Sequence, residues 1–339
     1  MTLRQTELTI LRIAQGYQLS QALYVAAELG VADALDGGPF GVDQLAASVE
    51  ARPDGLRRVL RALIAAGVFT ELDDGRIALD DTARELQSDA PGRTRDVVLN
   101  FGEEMYRAFG EMLHTVRTGE TAFDVLYGKP LFEYYASHPE AEASGSARMR
   151  ARSLPVIQEL AALGLGAGAS TVTDVGGGIG TVITALLQAD DDLRGVLYER
   201  PTVASLARVH LAEHGVDARC EVVEGDFFSE VPEGADLYLL KSVLHDWDDE
   251  RCHTILQNCR AAMHDGARLA IVEFVLPDTM ASDPSLLPGA LLDLIMLTYV
   301  GGRERTESEF AQLLQEAGLR LDRLTPLEAG PSVLEAVVA

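Results

Sequence analysis

Val172-Thr173-Asp174-Val175-Gly176-Gly177-Gly178-Ile179-Gly180-Thr181 joins a β-branched strand to an apolar helix through an acid and a run of glycines. Glycine lets the backbone turn sharply and lets a ligand lie against bare main chain. About twenty residues on, a second strand from Gly195 to Tyr198 ends in Glu199, a carboxylate placed for a ribose diol. Together they make a nucleoside-binding α/β unit. The glycines follow G-x-G-x-G, and Thr181 stands where a dinucleotide site carries its last glycine. A pyrophosphate needs the close helix approach that this glycine permits, whereas a nucleoside without phosphates does not. The spacing favours the second kind of ligand.

Downstream, strands and helices alternate. Strands near 171–175, 195–199, 220–224, 236–241 and 268–274 predict a parallel, doubly wound sheet. A helix from Thr306 to Ala317 is followed by strands from Leu319 to Thr325 and from Ser332 to Val338 around Gly330-Pro331, an antiparallel hairpin at the sheet edge. This cofactor domain is expected over residues 166–339.

Upstream, residues from about 6 to 36 have helical apolar spacing, including Leu8, Ile10, Leu11, Ile13 and Leu19. That surface exceeds what a small lobe buries, which predicts a partner subunit. A helix through Val59, Leu60, Leu63 and Ile64, then a hairpin turn at Asp73-Asp74-Gly75, complete a winged helix. Its functional alternatives are DNA reading through Arg57, Arg58 and Arg61, or a dimerising lobe whose arginines are solvated. The formal charge of −25 favours the lobe, because phosphate binding needs a dense basic face. Residues 1–95 are therefore expected to be a helical, winged-helix dimerisation domain. Residues 96–165 carry a helical stripe that includes Phe101, Met105, Phe109, Phe132 and Met149, positioned for a substrate lid.

Cys220, Cys252 and Cys259 form no C-x-x-C pair, which fits a reduced compartment. The polar start Met1-Thr2-Leu3-Arg4-Gln5 lacks a signal-peptide core, and no segment approaches the roughly 18 apolar residues of a membrane span. A soluble, cytoplasmic protein without nucleic-acid or membrane partners is expected.

Four further motifs fall at strand carboxyl ends, where ligands bind in such sheets. They are Gly225-Asp226-Phe227-Phe228, Lys241-Ser242-Val243-Leu244-His245-Asp246-Trp247-Asp248-Asp249, Val272-Glu273-Phe274, and Gly301-Gly302-Arg303-Glu304-Arg305-Thr306. With the DVGGG turn, this ordered set resembles the S-adenosylmethionine-dependent small-molecule O-methyltransferases, typified by plant caffeate and flavonoid enzymes and by bacterial polyketide-tailoring enzymes. The resemblance spans nearly the whole chain. It implies a class I methyltransferase fold, a homodimer, and S-adenosylmethionine as cofactor with S-adenosylhomocysteine as product. By position it implies that Gly176, Glu199, Asp226, Phe227, Lys241 and Ser242 bind the cofactor. His245 would be the general base, flanked by Glu273 and Glu304. Met149, Asp246 and Met296 would hold the acceptor. Two departures stand out: Glu199 where relatives usually carry Asp, and the arginines Arg148, Arg150 and Arg152 near the pocket. Arg152 could meet the cofactor carboxylate or an acidic substrate, or be a surface arginine.

The chemistry suits those residues. Methyl transfer is an in-line displacement, helped mainly by positioning. Moving a proton from a phenol near pKa 10 to a histidine near 6.5 is uphill by about 5 kcal/mol. A carboxylate on the far imidazole nitrogen narrows that gap, which gives Glu273 and Glu304 a reason to be acidic. The other histidines show no spacing such as H-E-x-x-H, so no metal is expected. The expected activity is methyl transfer to a hydroxyl of an aromatic natural product. The alternatives are nitrogen or carbon methylation, a non-methylating decarboxylation, hydroxylation or cyclisation on the same fold, and, more remotely, a DNA-binding regulator.

Overall fold

The computed structural model describes residues 3–279 and 282–339, apart from the side chains of residues 3–8, 140–144 and 146–152. The chain divides into two units: Met1–Arg107 with Ala147–Arg152, and Ala108–Ser146 with Ser153–Ala339.

In the first unit a long helix spans Leu3–Glu28, and a separate helical turn follows at Val31–Ala34. The apolar periodicity predicted one helix to about residue 36. Gly30, at φ +65°, breaks it, because the left-handed conformation that glycine permits cannot continue a right-handed helix. Helices Val42–Ser48 and Pro53–Ala65 come next, then an antiparallel pair of Thr70–Glu71 with Ile77–Ala78. Pro53 suits the first turn of its helix, where no backbone donor is needed. Leu45, Leu56, Leu60, Leu63, Phe69 and Ile77 bury into one core. Arg57 faces Asp43 at 3.3 Å on the surface, so one of the three arginines is already neutralised.

The second unit is built on a seven-stranded sheet. Its strands are β1 (Thr171–Val175), β2 (Arg194–Glu199), β3 (Cys220–Glu224), β4 (Leu237–Lys241), β5 (Arg268–Glu273), β6 (Leu319–Pro326) and β7 (Ser332–Val338). Their order is β6-β7-β5-β4-β1-β2-β3. β1 to β5 pair in parallel, and β7 is antiparallel to both β5 and β6. The predicted sheet and edge hairpin are thus present. The chain leaves β1 toward β2 and β3 on one side, then returns to β4 and β5 on the other. The crevice at such a switch point is where ligands bind.

Strand alternation divides the core between two faces. Tyr238 and Leu240 of β4 pack with Ile255, Leu256 and Phe310 on one face. Leu237 and Leu239 pack with Ile183, Leu187 and Ala207 on the other. Cys252 and Cys259 are fully buried, and burial pushes both thiols up to about 12, so neither is a thiolate at neutral pH. Among the described residues, no helix is long and apolar enough to cross a membrane.

Candidate active site

β1 runs into the glycine turn, where Gly176, Gly178 and Gly180 have φ of +68°, +59° and +86°. These values need glycine. Gly176 also makes room: a Cβ there would lie 3.2 Å from both Phe227 Cε1 and Val243 Cγ2. At the end of β2, Glu199 lies on this turn. Its Oε2 accepts from the Gly178 amide at 2.9 Å and its Oε1 from the Arg200 amide at 2.8 Å. After β3, Asp226 caps its own turn by accepting from the Phe228 amide at 2.9 Å. Phe227 stands edge-on to Phe228 and Trp247. Phe132 stacks on Trp247 at 5.6 Å, and the Arg200 guanidinium lies over Phe132 at 5.5 Å. Bare main chain, a carboxylate and an aromatic wall at the carboxyl ends of β1, β2 and β3 suit a purine nucleoside.

Beneath the turn, Asp174 is fully buried and neither oxygen meets hydrogen-bond geometry, the Ile183 amide being a weak influence. Burial pushes its carboxyl up to about 7, opposed by Lys241. Lys241 Nζ donates to Ser242 Oγ at 3.2 Å, and Ser242 sits at φ +53° where β4 ends. A non-glycine residue held in that region stores strain, as is common at functional sites.

β4 then leads into the short 3-10 turn Leu244–Asp246, which buries His245. Its Nδ1 donates to Glu304 Oε1 at 2.7 Å, with Glu273 Oε2 at 3.3 Å, while Nε2 lies 3.5 Å from Asp246 Oδ1. Glu273 Oε1 accepts from the Val243 and Leu244 amides, both at 2.9 Å, and so fixes the turn to the end of β5. Glu304 is held in turn by Asp293, whose Oδ1 accepts from the Glu304 amide at 2.8 Å. Burial alone would lower the proton affinity of His245. Glu273, Asp246 and Glu304 outweigh it and push the imidazolium up to about 10. Burial raises the Asp246 carboxyl to about 7 against the pull of His245, and it raises Glu304 as well. The cluster is built to hold a proton on His245.

Two sets of donors among the described residues are close enough to share a metal ion: His245, Glu273 and Glu304, and, elsewhere, His210, Glu213 and His214. In the first, Nδ1 is already bonded to Glu304. In the second, the His210 and His214 rings lie tilted at 42° to one another, with centroids 4.1 Å apart.

Of the residues expected to hold an acceptor, Asp246 is in the cluster and Met296 is buried where helix Leu287–Ile295 widens into the π-helical turn Met296–Val300. Such a turn offsets side chains by one position and recurs at functional sites. It buries Tyr299 beside Met296, edge-on to Phe123 at 4.9 Å and with its hydroxyl 3.3 Å from that of Tyr135. The side chains of Met149 and Arg152, and of Arg148 and Arg150, lie outside the described residues. Sequence reasoning had singled out Phe132 only as part of an aromatic stripe, and it missed Tyr299, Asp174 as a buried charge, and Arg305.

Two family models match the chain: an O-methyltransferase domain over residues 109–320 and an O-methyltransferase dimerisation domain over residues 11–87. The chain is 41% identical over 333 residues to the phenazine O-methyltransferase of Lysobacter antibioticus, covering 96% of this chain and 95% of that protein. It is 39% identical over 334 residues to the mitomycin biosynthesis 6-O-methyltransferase of Streptomyces lavendulae, with 96% and 92% covered. An O-methyltransferase from neocarzinostatin biosynthesis, solved with S-adenosylmethionine and 2-hydroxy-5-methyl naphthoic acid, superposes with a TM-score of 0.78 at 33% identity, over 94% of this chain and 96% of that one.

Proposed function

Because this chain belongs to the O-methyltransferase family, we propose that it transfers the methyl group of S-adenosylmethionine to a hydroxyl of an aromatic small molecule, phenolic or polyketide-like. S-adenosylmethionine supplies an electrophilic methyl on a positively charged sulfur. Gly176 and Gly178 give it main chain free of side chains, Glu199 accepts from its ribose hydroxyls, Asp226 accepts from the adenine amine and Phe227 packs on the ring. Lys241 and Ser242 complete the cofactor site. Asp246 and Met296 hold the acceptor.

The observation that carries this reading is the 2.7 Å contact between His245 Nδ1 and buried Glu304. With Glu273 and Asp246 beside it, this contact holds the imidazolium at about 10, level with a phenol near pKa 10. A proton shared between the acceptor hydroxyl and Nε2 then costs little to move, so the oxygen attacks with phenolate character. In the resting site His245 is charged at neutral pH. One proton therefore leaves for solvent as the acceptor binds, and the hydroxyl proton comes to rest on Nε2. Nδ1 keeps its own proton, donated to Glu304. A tailoring reaction that abstracts no hydroxyl proton has little use for this trio, which favours transfer.

The exposed Leu11, Ile13 and Tyr17 of the N-terminal helix, within the dimerisation match, and Ile10 just before it support a homodimer. Three unpaired, buried cysteines suit a reducing cytoplasm. The test is calorimetric titration with S-adenosylmethionine and S-adenosylhomocysteine, followed by mass spectrometry of phenolic acceptors for one added methyl. Micromolar binding and a methylated phenol are expected. No binding of either cofactor form overturns the reading.

A further inference from the structure

We propose that Arg305 is a positioning residue: its guanidinium fork fixes the turn that carries His245 against Glu304 and Glu273, and methyl transfer depends on that fork rather than on the charge. The proposal rests on the reading of His245 given above.

Arg305 is 0% exposed, the largest fully buried side chain of the chain's described residues. An isolated buried cation is costly, so its partners matter. Nη1 donates to the Leu244 carbonyl at 3.0 Å and Nη2 to the Trp247 carbonyl at 2.8 Å. Nε and Nη2 both donate to Asp249 Oδ1, at 3.0 and 2.8 Å. Leu244 and Trp247 stand on either side of His245 and Asp246, so one planar group grips both shoulders of the turn that presents the base.

The same short segment holds that turn from a second direction. The Arg303 amide donates to the His245 carbonyl at 2.8 Å, and a Cβ on Gly302 would collide with that same oxygen. Glu304 precedes Arg305 in the chain. Arg305–Thr306 also pairs in parallel with Val275–Leu276, the strand that begins two residues after Glu273. A single residue therefore ties together the three segments that carry His245, Glu273 and Glu304.

Its action is geometric. The charges that govern the proton on His245 are those of Glu273, Asp246 and Glu304, and the guanidinium charge is met by Asp249. Lysine would keep the charge but cannot reach two carbonyls and a carboxylate in one plane. A general fold anchor would lose stability on substitution and move nothing specific at His245. A positioning residue moves the Nδ1 contact itself.

The experiment compares wild type, Arg305→Lys and Asp249→Asn, each saturated with S-adenosylhomocysteine for nitrogen NMR of the labelled His245 imidazole, and separately in steady-state kinetics. Asp249 is more than half exposed, so its variant folds even where Arg305→Lys does not. In Arg305→Lys the His245 midpoint falls from about 10 toward an ordinary imidazole value, and kcat falls on the order of 10²-fold with cofactor affinity unchanged. Asp249→Asn shifts both in the same direction by less. A His245 midpoint unmoved in both variants, or a kcat that falls only in step with cofactor binding, overturns the proposal. The NMR readout needs no turnover. A wild type that methylates nothing would therefore defeat the functional reading while the titration still decides the role of Arg305.

Discussion

Glu304 Oε1 lies 2.7 Å from Nδ1 of His245, although 59 residues separate the two in sequence. Both side chains are buried, so the contact operates where water screens little and a charge-assisted hydrogen bond is strong. Glu273, at 3.3 Å from the same nitrogen, adds a second carboxylate and leaves its other oxygen to the turn's amides. Glu304 acts on the imidazole alone, whereas Glu273 both raises its proton affinity and holds its main chain. That division leads to different consequences when each is neutralised.

Glu304→Gln keeps the shape of the contact and removes its charge, so His245 becomes less basic. With His245 near 10, kcat/KM of wild type for a phenol keeps rising with pH through 8 to 9, as more acceptor ionises while the imidazolium persists. In the variant the imidazolium is lost earlier, and the profile levels off at lower pH with a rate lower by on the order of 10². His245→Ala removes the group and loses on the order of 10²- to 10⁴-fold. S-adenosylhomocysteine affinity stays unchanged in both. Two pH–rate profiles that superpose would remove Glu304 from this role.

Asp174 makes a prediction about stability rather than rate. Its folded carboxyl is raised from 3.8 to about 7, so the folded state binds the proton more tightly than the unfolded state. The resulting stability is fully present below about pH 4 and is lost as pH rises through 7. Asp174→Asn never acquires the charge. It should melt near wild type at pH 4 and above it at pH 8, by up to about 4 kcal/mol if the charge stays wholly buried. Calorimetric melting across that range decides, and a difference that does not grow with pH counts against a buried charge.

These two acids mark what the sequence discloses. The glycine turn, Glu199 and the positions of the strands are legible because parallel strands are buried on both faces and appear as short apolar runs between turn signals. His245, Glu273 and Glu304 could be named from motifs, yet nothing local says that two of them meet at one nitrogen. That depends on β5 lying beside β4 and on the GGRERT segment returning over the turn. Arg305 was illegible for a different reason. An arginine among charged neighbours ordinarily stays in water, and only the carbonyls of Leu244 and Trp247 together with the Asp249 carboxylate make its burial affordable. Apolar spacing passes through Gly30 unchanged and so predicts a longer N-terminal helix than the backbone forms.

The exposed stripe of that helix predicts its own disruption. Ile10 and Ile13 lie three residues apart, hence on one face, and Ile13 is 76% exposed. Replacing both with Asp puts two charges where a second copy would bury them. Sedimentation should then detect monomers at concentrations where wild type is dimeric, with the circular dichroism of the folded chain retained. A dimer that survives the double substitution would exclude this face as the interface.

Gly302 and Gly178 separate the two halves of the site. A Cβ on Gly302 would collide with the His245 carbonyl oxygen and stand 2.8 Å from Asp246 Cα, both main chain, which cannot swing aside as a side chain can. Gly302→Ala therefore displaces the turn that carries His245, and a shift of about 1 Å at a catalytic group costs on the order of 10²-fold in rate. It leaves the glycine turn after β1 untouched. Gly178→Ala is the converse. No described atom lies within 4 Å of its Cβ position, so nothing in the fold is struck, but φ of +59° strains alanine by roughly 1 to 2 kcal/mol and the new methyl enters the space offered to the cofactor. Gly302→Ala should thus keep S-adenosylhomocysteine affinity and lose kcat, and Gly178→Ala should lose affinity by tenfold or more, the equivalent of about 1.4 kcal/mol. Calorimetry and saturating kinetics on the pair test both at once. If Gly302→Ala weakened cofactor binding as much as Gly178→Ala, the turn around His245 and the glycine turn would have to be one coupled element, and the assignment of separate duties to them would fail.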